Sequence, residues 1–336
     1  MRGILLKEYN ANIIRALFDL NIAEKPTPQP KANQVLIKMS AAPVNPSDIA
    51  FIRGMYNIKK TLPVFAGFEG TGTVVETGDE PLAKSLKGKR VSCFSQTDGD
   101  GTWADYYLTS AENCLPIIED LSVEQAACFF INPFTAFALY NKIISHNPAG
   151  IVQNAATGQV GRFIRFFAKQ DNIPVINIVR KQKHVEELKS NGEKFVICSS
   201  SENFLENAKS IFNNYTNLVF IDAVGGSQTG EVLNILPQGS TVIVYGGLSG
   251  TDISSIDPLH IIFHRKTITG FNLNEWFADN SREEILIVSE KLQKMIVLKQ
   301  LETKINKSFP LSEAKNAIKT YISDMSAGKV LFDCNI

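Results

Sequence analysis

The sequence predicts an α/β protein made of two kinds of unit, a β-rich barrel-like one and a parallel sheet covered by helices. Three observations carry this reading. The first 120 residues hold short apolar runs separated by turn residues, the pattern of a compact barrel. From about residue 121 strand-length and helix-length segments alternate, the pattern of a parallel sheet with crossover helices. A last strand-like run, Lys329–Asp333, follows two long amphipathic stretches. The chain has 336 residues, and at about 150 residues per domain this length suits two domains.

The elements follow in order. Residues 25–31 hold Pro26, Pro28 and Pro30 and read as an extended connector. In 34–39 the side chains of Val35, Ile37 and Met39 share one strand face. Runs at 72–77, 89–94 and 103–109 are divided by Gly78-Asp79, Lys87-Gly88 and Asp98-Gly99-Asp100-Gly101. Ser122, with Gln125 three residues on, caps a helix start. Strands are expected at 151–155, 174–179, 195–198, 218–223, 241–245 and 267–271. Helices are expected at 160–170, 183–191, 202–213 and 229–236, and amphipathic stretches at 281–299 and 311–325. Phe130 and Phe134, at i, i+4 spacing, read as core.

Composition narrows the function classes. Lysine plus arginine and aspartate plus glutamate both number 34, so the formal charge is zero and there is no global pull on nucleic acid or an anionic membrane. No stretch is long and apolar enough for a membrane span, and the N-terminus shows no signal peptide. The five cysteines are widely spaced with no CxxC, which points to reduced thiols and a cytoplasmic setting. His260 and His264 share a helix face, but without a nearby carboxylate they read as surface or packing residues.

One loop carries chemistry. The expected strand 151–155 runs into Ala156-Thr157-Gly158-Gln159-Val160-Gly161 and then an amphipathic segment. This is AxGxxG, a variant of the dinucleotide fingerprint: Gly158 lets a pyrophosphate approach the backbone, Gly161 lets helix and strand pack closely, and the helix N-terminus favours an anion. The next strand ends in Arg180-Lys181-Gln182-Lys183, where an NAD site usually has an acidic residue for the ribose 2′-hydroxyl. A basic pair there suits a 2′-phosphate, so NADPH is the expected cofactor.

With these residues in place the chain resembles the medium-chain dehydrogenase/reductase superfamily, in its zinc-lacking quinone oxidoreductase and trans-2-enoyl-thioester reductase branch. Besides the glycine loop, the resemblance rests on Asn45-Pro46-Ser47-Asp48, Arg53-Gly54-Met55-Tyr56, Leu62-Pro63 and Gly67-Phe68-Glu69-Gly70-Thr71-Gly72. Further along it rests on Gly101-Thr102-Trp103, Asn132-Pro133-Phe134-Thr135-Ala136, Val224-Gly225-Gly226, Tyr245-Gly246-Gly247, Gly270-Phe271 and Gly328-Lys329. It implies a GroES-like β-barrel catalytic domain (1–120 with 272–336) interrupted by a Rossmann, doubly wound NADP(H)-binding domain (121–271). It also implies a homodimer.

Zinc-dependent relatives place thiolate, imidazole and carboxylate ligands where this chain has Asn45, Phe68-Glu69 and the segment around Ile131, so no metal is expected. Tyr56 falls at the position of the branch's catalytic tyrosine. The resemblance also implies cofactor contacts at Asn132, Thr135, Thr157, Gly158, Gln159, Val160, Arg180, Lys181, Tyr245, Gly246, Gly247, Leu248, Phe271, Asn272, Leu273 and Lys329. The sequence departs from the enoyl reductase pattern at Arg53, Gly158 and Asn272. The expected activity is hydride transfer from NADPH to an activated C=C of a 2-enoyl thioester or enone. The alternatives are a quinone oxidoreductase and a non-enzymatic NADP(H)-binding protein of the same fold.

Overall fold

A computed structural model describes residues 1–335. The chain divides into two compact units, one of Met1–Phe134 together with the chain from Asn280 onward, the other of Thr135–Asp279. Among the described residues no helix is long and apolar enough to cross a membrane.

The first unit contains β1 (Arg2–Leu6), α1 (Ile13–Asp19), β2 (Asn21–Glu24), β3 (Gln34–Pro43), α2 (Pro46–Ile52), β4 (Val64–Phe65) and β5 (Glu69–Thr77). Next come α3 (Pro81–Ser85), β6 (Arg90–Phe94), β7 (Tyr106–Ser110), β8 (Cys114–Pro116) and α4 (Val123–Ala127). Its main sheet runs β15-β16-β3-β5-β6-β8, with β7 also on β3, and a smaller sheet runs β2-β1-β4; β15 (Ile305–Pro310) and β16 (Lys329–Asp333) come from the C-terminal tail. Strand β16 lies antiparallel on β3, with Phe332 opposite Ala42, which closes the unit with residues from both chain ends. Helices α12 (Arg282–Val297) and α13 (Ala314–Ser323) complete it. The Gln293 side chain of α12 accepts from Ile118 N (2.8 Å) and donates to Pro116 O (3.1 Å). Trp103 is fully buried, stacks edge-on against Phe332 (4.9 Å between centroids) and donates its indole N–H to Pro43 O.

Helix α5 (Asn132–Ile144) leads into the second unit. There β9 (Ile151–Gln153), α6 (Gln159–Gln170), β10 (Val175–Val179), α7 (Gln182–Ser190), β11 (Phe195–Cys198) and α8 (Phe204–Phe212) follow one another. They are succeeded by β12 (Val219–Asp222), α9 (Ser227–Ile235), β13 (Thr241–Val244), α10 (Pro258–His264), β14 (Thr267–Gly270) and α11 (Leu273–Asp279). The six strands are all parallel, in the order β11-β10-β9-β12-β13-β14. This is the doubly wound Rossmann order, with the crossover at β9 and β12. The strands are nearly continuous apolar runs because helices cover both faces: Val152, Ile176, Phe220 and Val242 pack with Phe204, Phe212 and Leu233 in one buried cluster. Phe130 and Phe134 are buried, and their rings lie 6.0 Å apart.

Candidate functional site

In the second unit the sequence-expected cofactor residues collect at the C-terminal ends of the parallel strands, where such sheets bind ligands. Thr157, Gly158, Gln159 and Val160 follow β9, Arg180 and Lys181 follow β10, Tyr245 to Leu248 follow β13, and Phe271 to Leu273 follow β14. Strands β9 and β10 are neighbours, as are β13 and β14, so these loops lie along one sheet edge.

The glycine loop is held from beneath. Gly158 is the N-cap of α6 and offers no side-chain acceptor to its first turn. A Cβ on Gly161 would stand 2.7 Å from Ala156 O, so only glycine lets this helix approach its strand. Ala155 adopts φ +45°, a left-handed conformation uncommon for a residue with a Cβ. A partly buried polar chain braces the bend. Arg165 donates to Ala156 O and to Gly161 O, and pairs with Glu193 at 3.1 Å. Glu193 accepts from Asn177 (3.1 Å), whose Oδ1 accepts from Gln153 (2.7 Å).

A second support is Asp222, fully buried at the end of β12. Its Oδ1 accepts from Asn154 Nδ2 (2.6 Å), Val224 N (2.8 Å) and Gly225 N (2.9 Å), and its Oδ2 from the Thr229 hydroxyl. Gly225 and Gly226 take φ +73° and +70°, the conformation this turn requires. Tyr245 N donates to Asp222 O and Leu248 N to Ala223 O, which ties the loop after β13 to the loop after β12. A Cβ on Gly247 would meet no atom within 4 Å. The fit to a dinucleotide is good: an uncapped helix start, a loop without side-chain bulk at Gly158 and Gly247, and two exposed cations at Arg180 and Lys181.

His260 and His264 lie on α10 with rings 5.0 Å apart. His260 Nδ1 meets Lys266 Nζ at 3.0 Å, and that amine also donates to Leu233 O and Asn234 O, closing the end of α9. His260 thus packs against the end of α9, and His264 is exposed.

The first unit carries Tyr56, Asn132 and Lys329. Tyr56 lies just past α2 on the turn through Gly54, half-buried. Its ring lies 5.9 Å from that of Phe68, which packs in turn on Phe51 of α2 (5.0 Å). Its hydroxyl oxygen accepts from Gln96 Nε2 at 2.9 Å. Burial pushes the phenol above its ordinary pKa, against the Gln96 hydrogen bond and with help from the Asp48 charge, so it stays protonated at neutral pH. Asn132 is buried at the start of α5, and its Nδ2 has no hydrogen-bond partner. Thr135, also buried, begins the second unit.

Lys329 is buried at the start of β16, and its ammonium donates to Asn45 Oδ1. Asn45 Nδ2 donates to Glu69 Oε2 (2.9 Å), and Glu69 Oε1 accepts from Ile131 N (2.7 Å). Asn45, Glu69 and Ile131, which the resemblance expected at the zinc-ligand positions of metal-dependent relatives, are joined by hydrogen bonds, with Lys329 donating into the chain. Asp48 accepts from Asn45 N (2.8 Å) and Phe68 N (3.2 Å), and burial pushes its carboxyl up to about 7. Among the described residues no three His, Cys, Asp or Glu side chains are grouped to hold a metal.

Sequence reasoning missed Gln96, Arg165 and Asp222. Gln96 and Arg165 lie in no motif, and Asp222 opens the string Asp222-Ala223-Val224-Gly225-Gly226, whose resemblance to the branch gives it no role.

Comparison with known proteins agrees with this architecture. Residues 31–119 match the alcohol dehydrogenase GroES-like domain family and residues 160–289 the zinc-binding dehydrogenase family. The mitochondrial enoyl-acyl-carrier-protein reductase of Xenopus tropicalis is 29% identical over 95% of this chain and 91% of its own. One of that name from Caenorhabditis elegans is 32% identical over 77% of this chain and 73% of its own. Among solved structures, a putative NADPH:quinone reductase from Mesorhizobium loti superposes with a TM-score of 0.91 at 30% identity, covering 99% of this chain and 98% of that one. The chain belongs to the medium-chain dehydrogenase/reductase superfamily of oxidoreductases, in the branch of enoyl and quinone reductases.

Proposed function

We propose that the protein is an NADPH-dependent reductase that delivers hydride to an activated C=C of a 2-enoyl thioester or small enone, with Tyr56 as hydrogen-bond and proton donor. The observation that carries this reading is the Tyr56 hydroxyl: its oxygen is already engaged by Gln96, its proton is retained at neutral pH, and it is only half-buried. The names of the Xenopus and Caenorhabditis relatives support it.

When bound, the dihydronicotinamide supplies the hydride. Arg180 and Lys181 hold the 2′-phosphate, and the start of α6 with Thr157 to Val160 holds the pyrophosphate. Tyr245 to Leu248 and Phe271 to Leu273 line the same sheet edge, and Asn132 offers its unpartnered amide. As the β-carbon of the substrate takes hydride, negative charge builds on the carbonyl oxygen. Tyr56 stabilises that oxygen by hydrogen bonding and supplies the proton that completes the saturated product. In this reading the unit of Met1–Phe134 and the C-terminal tail does the substrate chemistry, and Thr135–Asp279 holds the cofactor.

A second reading, NADPH:quinone reductase, is favoured by the name of the Mesorhizobium structure. Absorbance loss of NADPH and of NADH with crotonyl-CoA, a 2-alkenal and a 1,4-quinone separates the two. The enoyl reading expects crotonyl-CoA or the alkenal to be reduced and Tyr56→Phe to lose most of that rate. Quinone turnover alone, unchanged in Tyr56→Phe, would reject it.

We also infer a homodimer, supported by the edge position of β14 and by exposed Leu259, Ile262 and Phe263 on α10. Sedimentation of Phe263→Asp as a monomer, against a dimeric parent, is the expected result. Five unpaired cysteines, four of them buried, support a reducing compartment such as the cytoplasm.

A further inference from the structure

We propose that Gln96 is a positioning residue that fixes the direction of the Tyr56 proton by donating its amide N–H to the phenol oxygen. The inference rests on the reading of Tyr56 given above. A phenol has one proton to give, and a neighbour decides where that proton points. A neighbouring acceptor takes the proton for itself, whereas a neighbouring donor occupies an oxygen lone pair and turns the proton elsewhere. Gln96 Nε2 stands 2.9 Å from the Tyr56 oxygen as a donor. The same bond strengthens as negative charge grows on the oxygen during proton transfer.

The backbone makes this arrangement rigid. Gln96 follows Ser95, whose N–H donates to Phe68 O (3.0 Å). The N–H of Phe68 donates to Asp48 Oδ1, and Asp48 also accepts from the N–H of Asn45 at the start of α2. The Phe68 ring packs on Phe51 near the end of that helix and on Tyr56 just past it. One residue, Phe68, therefore anchors both arms: its carbonyl holds the strand end that carries Gln96, and its N–H and ring hold the helix and turn that carry Tyr56. Neither arm can shift without disturbing a fully buried residue.

The test is Gln96→Glu, which keeps the shape and replaces the donor by a carboxylate. With crotonyl-CoA and NADPH at pH 8, that carboxylate accepts a hydrogen bond from the phenol and turns its proton away from the substrate, so kcat falls about a hundredfold while KM stays near the parent's. As pH drops and the glutamate protonates, it can donate again, and kcat recovers on a limb absent from the parent. Gln96→Leu loses about tenfold with no such limb. In a Tyr56→Phe background Gln96→Glu adds nothing. A readout independent of turnover is the ¹³Cζ resonance of Tyr56, assigned by its loss in Tyr56→Phe. It should follow the glutamate titration in Gln96→Glu and show no such step in Gln96→Leu. Asp48, whose charge acts on Tyr56, and Lys60, over the Phe68 ring, are unchanged in every variant. If Tyr56→Phe loses activity but Gln96→Glu shows neither the kinetic limb nor the ¹³C step, the proposal for Gln96 is overturned alone. Full turnover by Tyr56→Phe would overturn both readings.

Discussion

Lys329→Met removes the cation from a buried cluster that keeps two carboxyls. The ammonium is 3% exposed and donates to Asn45, which bridges to the fully buried Glu69; Asp48, 1% exposed, is the second acid. Burial lowers the lysine and raises both acids; attraction between Lys329 and each acid opposes these shifts, while repulsion from Glu69 adds to that of Asp48. Removing one member of a buried ion pair costs about 3–5 kcal/mol, because the other charge is left uncompensated. The orphaned Asn45 oxygen alone costs about 1–3 kcal/mol.

These costs respond differently to pH. An acid whose folded pKa is raised binds extra protons in the folded state, so stability falls as pH rises from its unfolded value towards the folded one. In the parent this window for Asp48 runs from 3.8 to about 7. Without the cation both acids move further up. Near pH 5 Asp48 is then neutral and Glu69 is closer to neutral than in the parent, so the loss relative to the parent shrinks towards the roughly 1–3 kcal/mol of the orphaned oxygen. Near pH 8 the charge penalty is felt, and the loss reaches about 3–5 kcal/mol. Urea unfolding of parent and variant at the two pH values, followed by tryptophan fluorescence, measures the difference. A loss equal at both pH values, or larger in acid, would refute the electrostatic account of the cluster.

Three further outcomes are expected. Replacing Arg180 and Lys181 by serine should raise KM for NADPH at least tenfold and leave KM for NADH unchanged, since each lost charge-assisted bond is worth about 1.5–3 kcal/mol; equal shifts for both cofactors would remove the 2′-phosphate assignment. Gly247→Val should unfold within about 0.5 kcal/mol of the parent, because its Cβ meets no protein atom, yet titration calorimetry should show NADPH binding at least tenfold weaker. Asp222→Asn keeps the three contacts to Oδ1 and reverses the fourth, its amide donating to the Thr229 hydroxyl, but trades charge-assisted bonds for neutral ones and should cost about 1–3 kcal/mol in a thermal melt.

The parts of the fold visible in the sequence are those whose cause is local. All six parallel strands were expected because each is an apolar run bounded by turn residues, and α6 because it opens on a glycine loop and alternates sharply between faces. Helix α5 is different: NPFTAFALYNKII is apolar on most sides, since the helix is buried nearly all round, and so it shows no polar face to betray its period. Ser122 does cap a helix, accepting from Gln125 N at 3.3 Å, but α4 ends after five residues. Strand β15 was hidden because its partner β16 starts 24 residues after it starts, and the pairing is parallel.

The site divides along the same line. Glycine positions, the basic pair after β10 and Tyr56 lie in short strings whose chemistry can be read in place. The contacts that give those residues their properties join distant parts of the chain: Lys329 to Asn45 across 284 residues, Asn154 to Asp222 across 68, and Gln96 to Tyr56 across 40. No spacing rule relates such pairs, because the fold alone sets the distance between them. A neutral glutamine has no charge, no periodicity and no motif, yet it decides which way a phenol proton points. The sequence therefore locates the group proposed to react, while its protonation and its aim come from the contacts that folding creates around it.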